Sequence, residues 1–270
     1  MVNVCVMLIL FIFGAMMGSF ACCQAWRIRK GDKAKWSHCM NCKYQLQWYD
    51  NIPIVSWLML GGKCRKCRKK IGYAEILSEV FTGVAFALSY ILWPGFEGLF
   101  KLDGFEIAKL VLFLINLVIF VILFVYDAKW KELPVNLMYG TWAIAALFLG
   151  VNIWQVIAAG GTVDVISIIG ALMILPVFYY LMYRISDESW VGGGDWMLCV
   201  PLALMLGNFW LAMFAMFAAN LLGCITMLPV ALIKKNHKLK IPFGPFLILG
   251  FLVIFFLQTG LLRFIGFGIL

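Results

Sequence analysis

The chain has 270 residues, of which 64% are apolar and only 13% charged, with a net charge of +9. So high an apolar share excludes a water-soluble globular fold and calls for the bilayer as solvent. The positive excess does not imply a nucleic-acid partner, because the basic residues crowd beside the ends of apolar runs, where membrane topology and anionic headgroups account for them.

Apolar runs near the roughly 20 residues needed to cross a bilayer recur along the chain and predict an all-α polytopic membrane protein of about eight transmembrane helices. In chain order they fall at about 4–26, 76–93, 107–126, 136–155, 163–184, 196–209, 210–233 and 244–262. The first begins near Met1 without a small-residue cleavage site and is expected to be retained. The sixth is short and runs almost directly into the seventh through Gly207 and Asn208. The expected organisation is a first transmembrane helix (1–26), a cysteine-rich loop domain (27–75) and a membrane domain of about seven helices (76–270).

Of the 22 Lys and Arg, 12 lie between Arg27 and Lys70, and seven more fall on the same side if eight spans alternate. Only Lys101, Lys109 and Arg263 are left for the other side. The positive-inside rule then places the 27–75 loop, Asp127, Asp195 and the Lys234–Lys240 loop in the cytoplasm.

The loop contains Cys39-Met-Asn-Cys42 and Cys64-Arg-Lys-Cys67, two C-x2-C pairs separated by 21 residues. Two such pairs complete a tetrahedral S4 site, and zinc would supply stability that a loop with so few apolar residues lacks. Lys43, Arg65, Lys66 and Arg68 would offset the 2− charge of the centre, and His38 is expected to stand aside. Spacing alone leaves open a redox pair or unliganded thiols. The other five cysteines, Cys5, Cys22, Cys23, Cys199 and Cys224, lie in apolar stretches where a thiol serves as a small hydrophobe. Trp48 to Leu58, apolar, aromatic and Pro-broken, fits a segment lying along the membrane interface.

Asp127 ends the third span and Asp195 follows Gly192-Gly193-Gly194 after the fifth, both at the predicted cytoplasmic edge. Carboxylates beside hydrocarbon are costly and usually functional. Brought together, two of them share a proton, so that one acts as general base on water while the other protonates a leaving amine. Taken singly, each aspartate also fits a solvated helix cap. Glu132, Asp187, Glu188 and Asp50 compete on the same face, and the glycine run is what separates Asp195 from them.

These residues, taken together, resemble the type IV prepilin peptidase family, membrane aspartyl peptidases marked by a Gly-x-Gly-Asp motif. Gly18-Ser19-Phe20 resembles the family's opening motif, and the cysteine pairs flanking Asp50-Asn51-Ile52-Pro53-Ile54-Val55-Ser56-Trp57 resemble its cytoplasmic domain. Glu79 falls at its acidic position, which is linked to methyl transfer. Asp127, six residues before Leu133-Pro134, matches the first catalytic aspartate, and Gly192-Gly193-Gly194-Asp195 the second. Ile241-Pro242-Phe243-Gly244-Pro245-Phe246-Leu247 resembles the motif that opens the last span.

The resemblance implies an aspartyl peptidase domain over 76–270, located in the bacterial inner membrane with its active site facing the cytoplasm. Its partner would be a prepilin or pseudopilin precursor, with a basic leader and a hydrophobic helix, serving a type IV pilus or type II secretion. Cleavage is followed in many members by N-methylation of the new terminus, with S-adenosylmethionine as methyl donor. The chain departs from the pattern at Met197, where Lys is usual, at Val135, which follows Leu133-Pro134, and at Ala74-Glu75-Ile76. The competing readings are a multi-pass transporter, which requires charges at mid-span, and an assembly or methyltransferase protein that has lost peptidase activity.

Overall fold

The computed structural model describes residues 2–32, 36–187, 191–234 and 242–264. Glu188, Ile241 and most of the Lys234–Lys240 loop lie outside the described residues. All regular structure among the described residues is helical, apart from two isolated bridges in the cysteine loop.

Seven helices are long and apolar enough to cross a membrane: Asn3–Lys30, Tyr73–Ile91, Gly104–Trp130, Val135–Ala158, Val165–Ile185, Phe209–Met227 and Gly244–Phe264. The eighth apolar helix, Gly193–Leu206, has 14 residues. At 1.5 Å per residue it reaches about 21 Å, short of a roughly 30 Å hydrocarbon core. Gly207 ends it in the left-handed conformation, with φ +58°. The Asn208 side chain then caps the next helix by accepting from the N–H groups of Trp210 and Leu211 at 2.9 and 3.3 Å.

The chain divides into two compact units. The first comprises Met1–Ile91 and Leu117–Val125. Helices α1 (Val2–Lys30) and α3 (Tyr73–Ile91) pack along one another within it, and the short α2 (Val55–Met59) comes between them in the sequence. Gly18 makes the closest approach: a Cβ there would fall on the Ser78 carbonyl oxygen. Only hydrogen fits, which gives the Gly18-Ser19-Phe20 stretch a packing role.

The second unit comprises Leu92–Asn116 and Tyr126–Leu270. It holds the short α4 (Phe96–Phe100), both ends of α5 (Gly104–Trp130), then α6 (Val135–Ala158), α7 (Val165–Leu172), α8 (Phe178–Ile185), α9 (Gly193–Leu206), α10 (Phe209–Lys234) and α11 (Gly244–Phe264). Phe113 and Phe255 stack with centroids 4.5 Å apart, and Trp93 lies against both at 5.7 Å. Chain direction alternates along these helices, so the C-terminal end of α5 and the N-terminal ends of α9 and α11 belong to one end of the unit.

At the other end of α5 sits a buried ion pair that includes Lys109, one of the three cations left for the far side by the charge pattern. Lys109 Nζ donates to Glu106 Oε1 at 2.8 Å, and both side chains are about nine-tenths buried. Trp93 Nε1 donates to Glu106 Oε2 at 2.8 Å and Gln155 Nε2 to Oε1 at 2.9 Å, so three donors satisfy one carboxylate. A cavity of about 80 Å³ beside the pair, lined also by Asn152 and Gln258, has room for water on the remaining Lys109 donors. Replacing one partner of such a pair strands the other charge. Glu106→Gln is expected to cost roughly 3 kcal/mol in detergent unfolding, much of it regained in Glu106→Gln/Lys109→Met. Equal stability of wild type and Glu106→Gln would show the pair to be dispensable.

Candidate functional site

In the first unit, the two cysteine pairs fold into the same turn twice. The Cys39 N–H donates to Tyr44 O and the Cys64 N–H to Lys69 O; Lys43 N donates to Cys39 O and Arg68 N to Cys64 O; Leu46 N donates to Ser37 O and Ile71 N to Gly62 O. Each bond of the first turn recurs 25 positions later. The bridges His38–Gln45 and Lys63–Lys70 repeat with the same offset. Lys43 and Arg68, each one residue past the second Cys, both adopt left-handed φ, 56° and 58°.

The four thiols lie within 4.8 Å of one another and could hold a metal ion. Cys39 and Cys67 Sγ are 3.8 Å apart, and Cys42 and Cys64 Sγ 3.9 Å. A tetrahedron with metal–sulfur bonds of about 2.3 Å has edges of about 3.8 Å, so the donor set fits. The backbone N–H of Lys69 and the Asn41 amide pull the Cys67 thiol down to about 6. At Cys42 the Tyr44 backbone bond acts downward, but desolvation and the thiols of Cys39, Cys67 and Cys64 outweigh it and push the group up to about 11. Four thiolates repel one another until a cation neutralises them.

The basic residues around the cluster have partners of their own. Arg65 donates to Asp50 at 2.7 Å, an Asp side chain only 1% exposed, which ties the segment between the pairs to the second turn. Lys69 donates to Asn41 at 3.0 Å, and Lys66 lies over the Tyr44 ring. His38 turns instead toward Asp32, at 3.3 Å. In the intervening segment Trp48 is 77% and Met59 82% exposed, leaving an apolar surface uncovered.

Glu79, also in this unit, is buried and accepts the Ile54 N–H at 2.6 Å as well as a bond from Ser19. Ile54 has φ +63°, strained for a β-branched residue, and Val55 N closes back on Pro53 O at 2.6 Å. The carboxylate therefore holds a tight turn of the cysteine module.

In the second unit, Asp127 and Asp195 are 4% and 7% exposed, whereas Glu132 and Asp187 are exposed and Asp50 is committed to Arg65. Asp127 occupies the last turn of α5, which Lys131 closes in the left-handed conformation. Its Oδ2 accepts the backbone N–H of Gly244 at 2.9 Å. A Cβ on Gly244 would lie 2.8 Å from that oxygen, so a side chain there would push the amide away.

Asp195 is the third residue of α9, and its Oδ2 accepts the N–H of Gly192, the N-cap, at 2.9 Å. The helix N-terminus also favours negative charge there. Gly194 lies hard against Leu133, with a notional Cβ only 2.7 Å from the Leu133 Cβ. The glycine run and the Leu133-Pro134 pair are thus two sides of one contact. The Asp195 charge acts on the Asp127 carboxyl, as does that of Lys131, so the two acids lie within electrostatic reach of one another. The Met197 carbonyl accepts from Trp142 Nε1 at 2.8 Å. Gly244 lies in the motif that opens the last span, but nothing in that motif shows that its amide serves Asp127.

The family model described as the Bacterial Peptidase A24 N-terminal domain matches residues 12–93. The chain is similar to the "Type 4 prepilin-like proteins leader peptide-processing enzyme" of Escherichia coli O78:H11, 31% identical over 229 residues that cover 83% of this chain and 76% of the relative. It is similar to a "Prepilin leader peptidase/N-methyltransferase" of Vibrio cholerae, 28% identical over 221 residues, or 82% of this chain and 80% of the relative. A protein of the same name from Neisseria gonorrhoeae is 30% identical over 226 residues, with 81% and 70% covered. No solved structure matches. Fold and comparisons together define a multi-pass membrane peptidase class. Within that class, the chain belongs to the prepilin leader peptidase/N-methyltransferase family, in agreement with the motif resemblance.

Gly194→Ala is expected to destabilise the protein by about 1–3 kcal/mol in detergent unfolding, because the backbone must retreat from Leu133. Leu133→Ala should relieve only part of this, since its Cβ is the closest atom. Wild-type stability in Gly194→Ala would refute the contact.

Proposed function

We propose that the chain is an aspartyl endopeptidase that removes the basic leader from prepilin-like precursors, with Asp127 and Asp195 as its catalytic pair. The observation that supports this most directly is the burial of these two acids within electrostatic reach of each other, each holding one glycine amide on Oδ2 and, among the described residues, leaving its other oxygen for chemistry. The relatives' names supply the substrate class.

In this mechanism the pair shares one proton. The ionised carboxylate takes a proton from water as the hydroxyl adds to the scissile carbonyl, and the protonated partner hydrogen-bonds the carbonyl oxygen. Collapse of the tetrahedral intermediate breaks the C–N bond, and a carboxyl proton passes to the departing amine. The Gly244 and Gly192 amides fix the carboxylate rotamers before substrate arrives. A precursor anchored by its own helix brings its leader junction to the depth of the pair, so lateral docking does the positioning. The concentration of Lys and Arg in the 27–75 loop, with spans alternating along the sequence, supports an inner-membrane orientation with Asp127 and Asp195 facing the cytoplasm.

Zinc is the metal we assign to Cys39, Cys42, Cys64 and Cys67. Four thiolates leave it no open position for water, so its role is to hold the two turns together. Methylation of the new amine is supported by the relatives' names, with S-adenosylmethionine as the group that would supply the methyl; Glu79, buried and bonded to Ile54 and Ser19, is the residue we associate with that second activity.

Incubated with a purified prepilin-like precursor, Asp127→Asn and Asp195→Asn should each cut cleavage at least about 100-fold. Undiminished cleavage by either variant would sink the pair. Metal analysis of the purified protein should find about one zinc per chain, lost when Cys39 and Cys64 are both changed to Ser. Zinc retained in that variant would remove the assignment.

A further inference from the structure

Pro176 sits inside the fifth long span, and the helix opens there into a π turn over Met173–Val177 before α8 resumes at Phe178. A π turn takes in an extra residue and so rotates the helix that follows it. Tyr179, the second residue past that turn, is only 2% exposed.

The environment of Tyr179 joins three elements near the aspartates. Its hydroxyl accepts from Asn220 Nδ2 of α10 at 2.9 Å, and the same amide group donates to Met216 O at 2.8 Å. Its ring lies against Phe243, with centroids 5.5 Å apart. Phe243 immediately precedes Gly244, whose N–H holds Asp127. The phenol also lies within electrostatic reach of the Asp195 carboxylate. One buried side chain is thus connected to both candidate catalytic acids while bonding directly to neither.

We propose that Tyr179 is a positioning residue for the aspartate pair: Asn220 fixes its hydroxyl, its ring fixes Phe243, and Phe243 keeps the Gly244 amide on Asp127. The proposal rests on the reading of Asp127 and Asp195 as the catalytic pair. A core residue that merely filled space would need no hydroxyl, and burying one costs free energy unless it is bonded. The π turn is a further local cost, met in the span that delivers this ring.

Tyr179→Phe keeps the ring and removes the Asn220 acceptor. With the ring less constrained, the Gly244 amide samples positions off Asp127, and small displacements in such a site cost rate rather than binding. For cleavage of a purified prepilin-like precursor, kcat should fall about tenfold in Tyr179→Phe with KM unchanged. Asn220→Leu should do the same, and the double variant should fall no further than either single one, because the two act as one unit.

Asn116→Leu provides the comparison, because it removes another buried amide bond, to Met205 Sδ at 3.1 Å, and should lower stability while leaving kcat alone. An unchanged kcat in Tyr179→Phe, additive losses in the double variant, or an equal fall in kcat for Asn116→Leu overturns the proposal. Should Tyr179→Phe fail to fold, Phe243→Leu and Asn220→Ser give the same reading, and wild-type kcat in both overturns it. Asp127→Asn and Asp195→Asn run alongside separate the two ideas. If both abolish cleavage while Tyr179→Phe is normal, only the positioning role fails; if either cleaves normally, the catalytic pair fails and the role goes with it.

Discussion

A carboxylate can be buried at the end of an apolar bundle only if something donates to it, and in this chain the donors are backbone amides of glycines. Gly192 serves Asp195 and Gly244 serves Asp127, each at 2.9 Å on one oxygen. A side-chain donor such as Lys would add charge and motion; an amide on a helix end adds neither. The rest of the second unit follows from this need. Alternating helices bring the end of α5 and the starts of α9 and α11 to one end, and Gly194 and Gly244 carry no side chain that would open the contacts.

The same constraint bears on Met197, where the family resemblance leads one to expect a lysine. Among the described residues, a cation whose field reaches Asp127 is Lys131, from the cap of α5 itself. Position 197 instead contributes a backbone carbonyl to Trp142, which links α9 to α6. Among the described residues, then, positive charge reaches Asp127 from the cap of its own helix, and position 197 has a packing role.

Much was legible in the sequence because it is written in composition and spacing. Apolar runs gave the helices, including the break at Gly207 and Asn208. Two C-x2-C pairs gave the thiol cluster, and the glycine run marked Asp195. Other features were not legible because they depend on distances that spacing does not encode. Glu106 and Lys109 looked like ordinary charges near a span end until Trp93 and Gln155 were seen to enclose them. The Gly244 amide lies 117 residues from the carboxylate it serves. Glu79 matched a motif position, yet the strained turn at Ile54 that it holds could not be anticipated from residue types. Tyr179 is one aromatic among many, and only the π turn and Asn220 set it apart.

The repeated turn of the cysteine module has a thermodynamic corollary. Each copy brings only half of the sulfur donors, and the closest Sγ pairs, Cys39 with Cys67 and Cys42 with Cys64, join one copy to the other. Neither turn could therefore retain a metal ion alone, and each is too short to build an apolar core of its own. With a metal ion on the four thiols, order in this loop should be all-or-none: the two halves would form as a couple on binding and part as a couple on loss, with no stable half-built state between.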